Sequence, residues 1–204
     1  MCKYREETSS ARCKSMKNEM TPKMRKDLMR LHNEFRNKIA GGSLKGWPSA
    51  ADMAKVTWDE NLAKSAQRWA TQCSDGHDKC RITPEFEVVG QNILRTASST
   101  HEFNTSIAPW TNEIDEASVD LIEKYHFSPE TGHFSQVVWA KTRRIGCGAV
   151  SYKRERLFWM VIVCNYGPSG NFIGTPMYTK GAPCAACPAG TKCNIVSVFP
   201  NLCA

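Results

Sequence analysis

The chain has 204 residues, 41% of them hydrophobic and 23% charged, which suffices for one substantial core and excludes a disordered or low-complexity protein. Lys and Arg outnumber Asp and Glu by 27 to 20, but the excess is scattered in short runs at 23–26, 141–144 and 153–156. No zinc finger, basic helix or aromatic RNA-binding motif accompanies those runs, so no nucleic-acid partner is expected; an anionic membrane surface or a sulfated glycan suits the charge better.

Residues 1–20 read as an irregular arm held by its two cysteines. Thr21 then caps a helix, Pro22 suits its first turn, Leu28, Leu31, Phe35 and Ile39 recur at helical spacing, and Gly41-Gly42 ends it. A second helix starts near Asp59 and carries Leu62, Ala66, Trp69 and Cys73 on one stripe. Glu87 to Leu94 has the apolar, β-branched character of a strand, Ile107 to Lys124 is expected to hold a third helix starting near Pro109, and His133 to Ala140 a short fourth. Ile145 to Tyr152 and Leu157 to Tyr166 read as a hairpin around the polar turn Lys153 to Arg156, which sets Cys147 beside Cys164 on neighbouring strands. From Gly174 to Ala204, Pro, Gly and Cys dominate, the composition of a disulfide-stapled tail.

Ten cysteines point to five disulfides and an oxidising compartment. Only Cys184 and Cys187 have the CxxC spacing of a zinc knuckle, with no second pair, so structural zinc is not expected. No run of about eighteen apolar residues exists to span a membrane. The opening Met1-Cys2-Lys3-Tyr4 is too polar for a signal peptide, and the expectation is that a leader was removed and Met1 added.

Several stretches carry a family resemblance: GHFSQVVWAKTRRIGCGAV (132–150), VCNYGPSGN (163–171), LHNEFRNKIAGG (31–42), WDENLAKSAQRWATQC (58–73), HDKCR (77–81) and GQNI (90–93). Together they resemble the CAP superfamily of cysteine-rich secretory proteins, antigen-5 venom allergens and plant pathogenesis-related proteins. The resemblance implies an α+β fold, a three-layer α-β-α sandwich over 21–173, with the arm before it and a short cysteine-rich tail over 174–204. It implies pairing of Cys2 with Cys80, Cys13 with Cys73, Cys184 with Cys193 and Cys187 with Cys203.

The resemblance also implies a central cleft lined by His77, Gln91, Glu113 and His133. Gln91 departs from the family's commoner glutamate, and a neutral amide is neither a general base nor an anionic metal ligand. His77, Glu113 and His133 could still hold a divalent ion such as zinc; equally, the two histidines could serve only as hydrogen-bonding residues of a polar cleft. A hydrolase is not expected. Ser135 follows His133 by two residues on a helix, so the side chains point about 200° apart. No GxSxG or HExxH motif is present, and no thiol is left free.

Lipid binding is the function that the resemblance favours. A loop over Glu123–Glu130 matches the family's sterol-binding loop, where Tyr125 and Phe127 would touch the sterol, or would anchor the loop on the core. A fatty-acid groove would lie between Leu28, Leu31 and Phe35 of the first helix and Ile107, Trp110 and Ile114 opposite, although such stripes also build cores. The expected protein is secreted, carries sterols or fatty acids and modulates a host or prey. The alternative is an interaction protein whose tail and basic loops engage a host receptor or immune component. Asn104-Thr105-Ser106 is a glycosylation sequon in a polar stretch.

Overall fold

The computed structural model describes Tyr4, Ser10, Cys13 and residues 15–204. In chain order its elements are β1 (Lys17–Asn18), α1 (Pro22–Ala40), β2 (Thr57–Trp58), α2 (Glu60–Ala70), β3 (Gly90–Ser98), α3 (Ala108–Thr111), α4 (Gly132–Val137), β4 (Arg144–Arg154) and β5 (Leu157–Gly167). The sheet runs β1-β4-β5-β3, all antiparallel, and β2 adds a two-residue parallel pairing at the start of β4.

Strand alternation divides the core between two faces. Ile145, Cys147 and Ala149 of β4 and Met160, Ile162, Cys164 and Tyr166 of β5 pack with Leu28 and Ile39 of α1. Their neighbours Val150, Tyr152, Val161 and Val163 pack with Ala66, Trp69 and Ala70 of α2. Two glycines let α2 lie directly on β4. A Cβ at Gly146 would stand 2.1 Å from the Ala63 nitrogen, and one at Gly148 2.2 Å from Gln67 Cα. Any side chain at either position would push the helix off the sheet.

Both long helices start as their sequences dictate: Thr21 Oγ1 accepts from the Met24 amide at 3.1 Å, and the Asp59 carboxylate from Leu62 at 2.8 Å. The hairpin strands extend to Arg154 and from Leu157, leaving only Glu155 and Arg156 to turn, with Glu155 in the left-handed region at φ 57°. The expected helix over Ile107–Lys124 is not continuous. It divides into α3 and two 3₁₀ turns, Asn112–Glu116 and Val119–Ile122, because Ala117 and Ser118 are extended and the Ser118 hydroxyl caps the second turn at the Asp120 amide. No residue of the first turn is fully buried, whereas Leu121, Ile122 and Tyr125 enter the core.

Disulfides join Cys13 to Cys73, Cys147 to Cys164, Cys184 to Cys193 and Cys187 to Cys203, with Cα separations of 6.2, 4.1, 5.9 and 5.5 Å. Cys80 is also disulfide-bonded; Cys2, its expected partner, lies outside the described residues. The tail does not merely close on itself. Cys203 donates its amide to Met53 O and accepts from the Lys55 amide, Ala186 bonds to Ala51, and Met177, Tyr178 and Leu202 join the main core.

One polar side chain organises the α1 face. Arg36 is fully buried and donates to five backbone carbonyls, those of Ala54, Val137, Trp139, Ala140 and Thr142, at 2.6–3.2 Å. Burial pushes its pKa down to about 9, and it has no ion-pair partner among the described residues. Arg36→Met would strip the Ala54, Val137 and Thr142 carbonyls of their donors, while those of Ala140 and Trp139 keep the amides of Ala54 and Thr142, a loss of about 3–5 kcal/mol. Urea unfolding should show it, and a loss below about 1 kcal/mol would contradict the role assigned to Arg36.

His32 gives the fold a pH dependence. Its Nδ1 bonds to Leu28 O at 2.7 Å and its Nε2 to the Tyr166 hydroxyl at 2.9 Å, and burial lowers its pKa from 6.5 to about 4. The folded state therefore keeps His32 neutral while the unfolded chain takes up a proton near pH 6.5. The resulting stability is present above that pH and declines as pH falls to about 4, by about 3 kcal/mol. Unfolding free energies at pH 7, 5.5 and 4 should follow this decline, and His32→Gln should flatten it.

Candidate functional site

The cleft is assembled by four separate segments. Gln91, at the start of β3, is buried beneath it; its Oε1 accepts from His77 Nδ1 at 3.1 Å and from the Asp78 amide at 3.0 Å. Its Nε2 donates to Asn165 Oδ1 at 2.9 Å, and Asn165 Nδ2 in turn donates to Ser65 Oγ at 2.8 Å. This chain explains the amide at 91: a carboxylate there could not donate to Asn165. It also fixes the His77 tautomer, with the proton on Nδ1 and a lone pair on Nε2. Burial of part of the ring pushes the His77 pKa down, against the hydrogen bond to Gln91, and Arg81 and His133 push in the same direction as burial.

His133 is held from the other side. Glu113 Oε1 lies 2.5 Å from its Nδ1, while Oε2 accepts from the backbone amides of His133 and Phe134, both at 2.9 Å. The Glu113 carboxylate thus caps the short helix α4 and orients the imidazole together. Trp110 stacks on the ring at 6.3 Å with an interplanar angle of 16°, and Asn92 binds the His133 carbonyl at 3.0 Å. Neither His77 Nε2 nor His133 Nε2 has a hydrogen-bond partner among the described residues, and neither is among their buried unsatisfied atoms.

The structure therefore sorts the four expected residues into two pairs, each an imidazole with an orienting partner. Glu113 does not stand free as a third metal ligand, since both its oxygens are engaged. Among the described residues, the only three metal-ligating atoms of the required proximity belong to Cys184, Cys187 and Cys193, all in disulfides. The ring atoms these two residues could still offer a divalent ion are therefore the two Nε2 nitrogens of His77 and His133.

The lipid-facing expectations change. Tyr125 is buried in the core, with its ring against Trp139, and offers no face to a ligand. Its loop is pinned through the backbone, Tyr125 donating to Thr175 O and accepting from Gly174. Phe127 remains exposed, at 62%, together with Phe172 and Ile173 at 45% and 74%.

Leu28, Ile107 and Trp110 are likewise core residues, and Leu31, Phe35 and Ile114 pack half-buried against them. A groove of about 730 Å³ does lie between α1 and residues 103–109, but its lining is different: Met24, Leu94, Phe103, Met160 and Ile162 supply apolar surface, and Glu19, Asp27, Arg30 and Thr96 make it amphipathic. Asn104 is exposed and lines this groove.

Ser135 is fully buried and donates to Gly132 O at 3.1 Å. A grouping that sequence reasoning missed joins His101, Ser151 and Glu19. The same imidazole nitrogen lies 2.9 Å from the serine and 3.4 Å from the carboxylate, and the serine donates directly to Glu19 at 2.6 Å. A nucleophile relay needs opposite ring nitrogens, so this is a structural clasp.

The family model "CAP: Cysteine-rich secretory protein family" matches residues 29–166. The chain belongs to this family. Similar proteins include venom allergen 5 2 of Polybia paulista, 39% identical with 88% of this chain and 93% of the relative covered, and venom allergen 5 of Vespula vidua, 37% identical with 79% and 82% covered. A cysteine-rich venom protein of Tityus serrulatus is 37% identical over 90% of this CAP chain, which spans 46% of that longer protein. Among solved structures, Na-ASP-1 is 30% identical with a TM-score of 0.71, covering 96% of this chain and half of its own length. NaASP2, solved with Zn²⁺, is 27% identical with a TM-score of 0.72, at 91% and 97% coverage.

Removing the Glu113 carboxylate should loosen His133 and uncap α4. Glu113→Ala is expected to cost about 3 kcal/mol and Glu113→Gln less, because the amide keeps one acceptor. Thermal unfolding of both variants checks this; an alanine variant as stable as its parent would mean that Glu113 neither caps α4 nor braces His133.

Proposed function

We propose that this CAP protein is secreted and binds lipids, sterols foremost, in modulating a host or prey. The observation that carries the reading is the exposed apolar face of Phe127, Phe172 and Ile173. It stands on two loops joined by backbone bonds between Tyr125 and residues 174–175, and both loops reach Gly132: Phe127 Cε2 lies 3.5 Å from the position of a Cβ there, and Asn171 Nδ2 donates to its carbonyl at 2.8 Å. Large apolar side chains held outward on a braced frame suit a flat, rigid apolar ligand. Tyr125 braces the frame from below, and the amphipathic groove along α1 is the candidate for a fatty acid. A divalent ion such as zinc, held by His77 and His133, would act as a Lewis acid. Binding rather than catalysis is the reading, since neither serine–histidine arrangement forms a relay.

Each Phe that a ligand covers contributes about 1.5–3 kcal/mol, so Phe127→Ala with Phe172→Ala should weaken cholesterol binding by roughly two orders of magnitude or more. Direct binding of radiolabelled cholesterol with unlabelled competitor measures this. Undiminished binding by the double variant would remove the sterol from this face.

A second reading, an interaction protein, is favoured by Ile195, Val196 and Val198, each more than 80% exposed at the tip of the tail. Replacing all three with Ser leaves the tail's buried Leu202 and Cys203 in place. If the tail engages a host receptor, this variant loses binding to host cells while cholesterol binding persists.

A further inference from the structure

A second groove, of about 660 Å³, runs along the seam between the CAP core and the tail, within the range of small-ligand sites. One wall is apolar: Ala54, Pro168, Pro188 and Cys203, whose sulfur is bridged to Cys187. Around it stand Lys55, Lys141, Arg143 and Arg144; among the described residues no side-chain carboxylate lines the groove, and Ala204, which does line it, accepts from the Lys192 amide. Arg143 bonds Glu85 through Nη2 and lies over the Phe86 ring, and Arg144 bonds Thr57 Oγ1 through Nη1. Those contacts hold the guanidinium groups in place and leave further N–H donors for a ligand. Lys141 is exposed and has no hydrogen-bond or ion-pair partner among the described residues.

From this charge arrangement we infer that the seam binds a single-chain anionic amphiphile, its alkyl chain along the proline and disulfide wall and its oxyanion head among the four cations. Burial of the chain supplies the apolar contribution, and the guanidinium and ammonium donors match a phosphate or carboxylate head. A sulfated saccharide would satisfy the cations but leave the wall without an apolar partner. The site shares no residue with the Phe127 face, so it stands or falls independently of sterol binding.

The probe is dodecyl phosphate below its micellar concentration, with dodecanol and inorganic phosphate as controls, measured by calorimetry on the intact disulfide-bonded protein. Saturable one-to-one binding is expected, at least about tenfold tighter than either control and weakening with added salt. Lys55→Glu with Lys141→Glu should weaken it about tenfold or more while leaving cholesterol capture unchanged. On the unaltered protein, dodecyl phosphate should protect Lys55 and Lys141 from amine acetylation, read by mass spectrometry. Undiminished binding by the double variant, equal binding of inorganic phosphate, or binding only to anionic phospholipid vesicles would each overturn the inference.

Discussion

A buried guanidinium held by backbone carbonyls is the constraint on which the CAP core depends. Arg36 gathers the carbonyls of Ala54, of Val137 at the end of α4 and of three residues in the irregular chain that follows it, where backbone pairing alone leaves acceptors unfilled. Asn33, one turn earlier on α1, repeats the device by bonding both backbone groups of Val56 at 2.9 Å. These two side chains do for the loops what a strand neighbour would do, and they fix α1 against the end of α4. Because α4 carries His133, the position of the cleft is set from the far side of the core.

The cleft itself shows orientation by neutral and charged partners in parallel. Gln91 and Glu113 play equivalent parts, each binding an imidazole through Nδ1 and backbone amides beside it. The difference is that Gln91 also passes a hydrogen bond onward to Asn165 in the sheet. The His77 side is therefore locked to the strand framework, and the His133 side to the helix start.

Features that depend on local chemistry were legible in the residues. Thr21 and Asp59 announced their helices through capping, and the alternation in 145–152 and 157–166 placed Cys147 against Cys164. Features decided by long-range packing were not. Tyr125 and Phe127 differ by two positions in a polar stretch, and nothing local states that one enters the core and the other points outward. The break at Ala117 and Ser118 follows from pulling Leu121 and Ile122 inward, which a helical-stripe reading of 107–124 does not register. Arg36 sits among charged residues on α1 with the look of a surface position, and its burial is set by carbonyls up to 106 residues away. Leu28, Ile107 and Trp110 were read as groove-lining but lie in the core, since the most apolar stripe of a helix is the one the core takes, and other residues line the groove beside α1.

The glycine seam under α2 also bears on which parts of the molecule can vary. With no room for even a methyl group at Gly146 or Gly148, and with the carbonyl cluster around Arg36 equally unforgiving, the sandwich is a frame on which substitution is heavily penalised. Phe127, Phe172, Ile173 and the tip of the tail stand outside that frame with their side chains exposed. Changes there alter the surface offered to a ligand or partner at little cost to folding. The same architecture can therefore be retuned for new binding tasks by rewriting its edges while its interior stays closed to change.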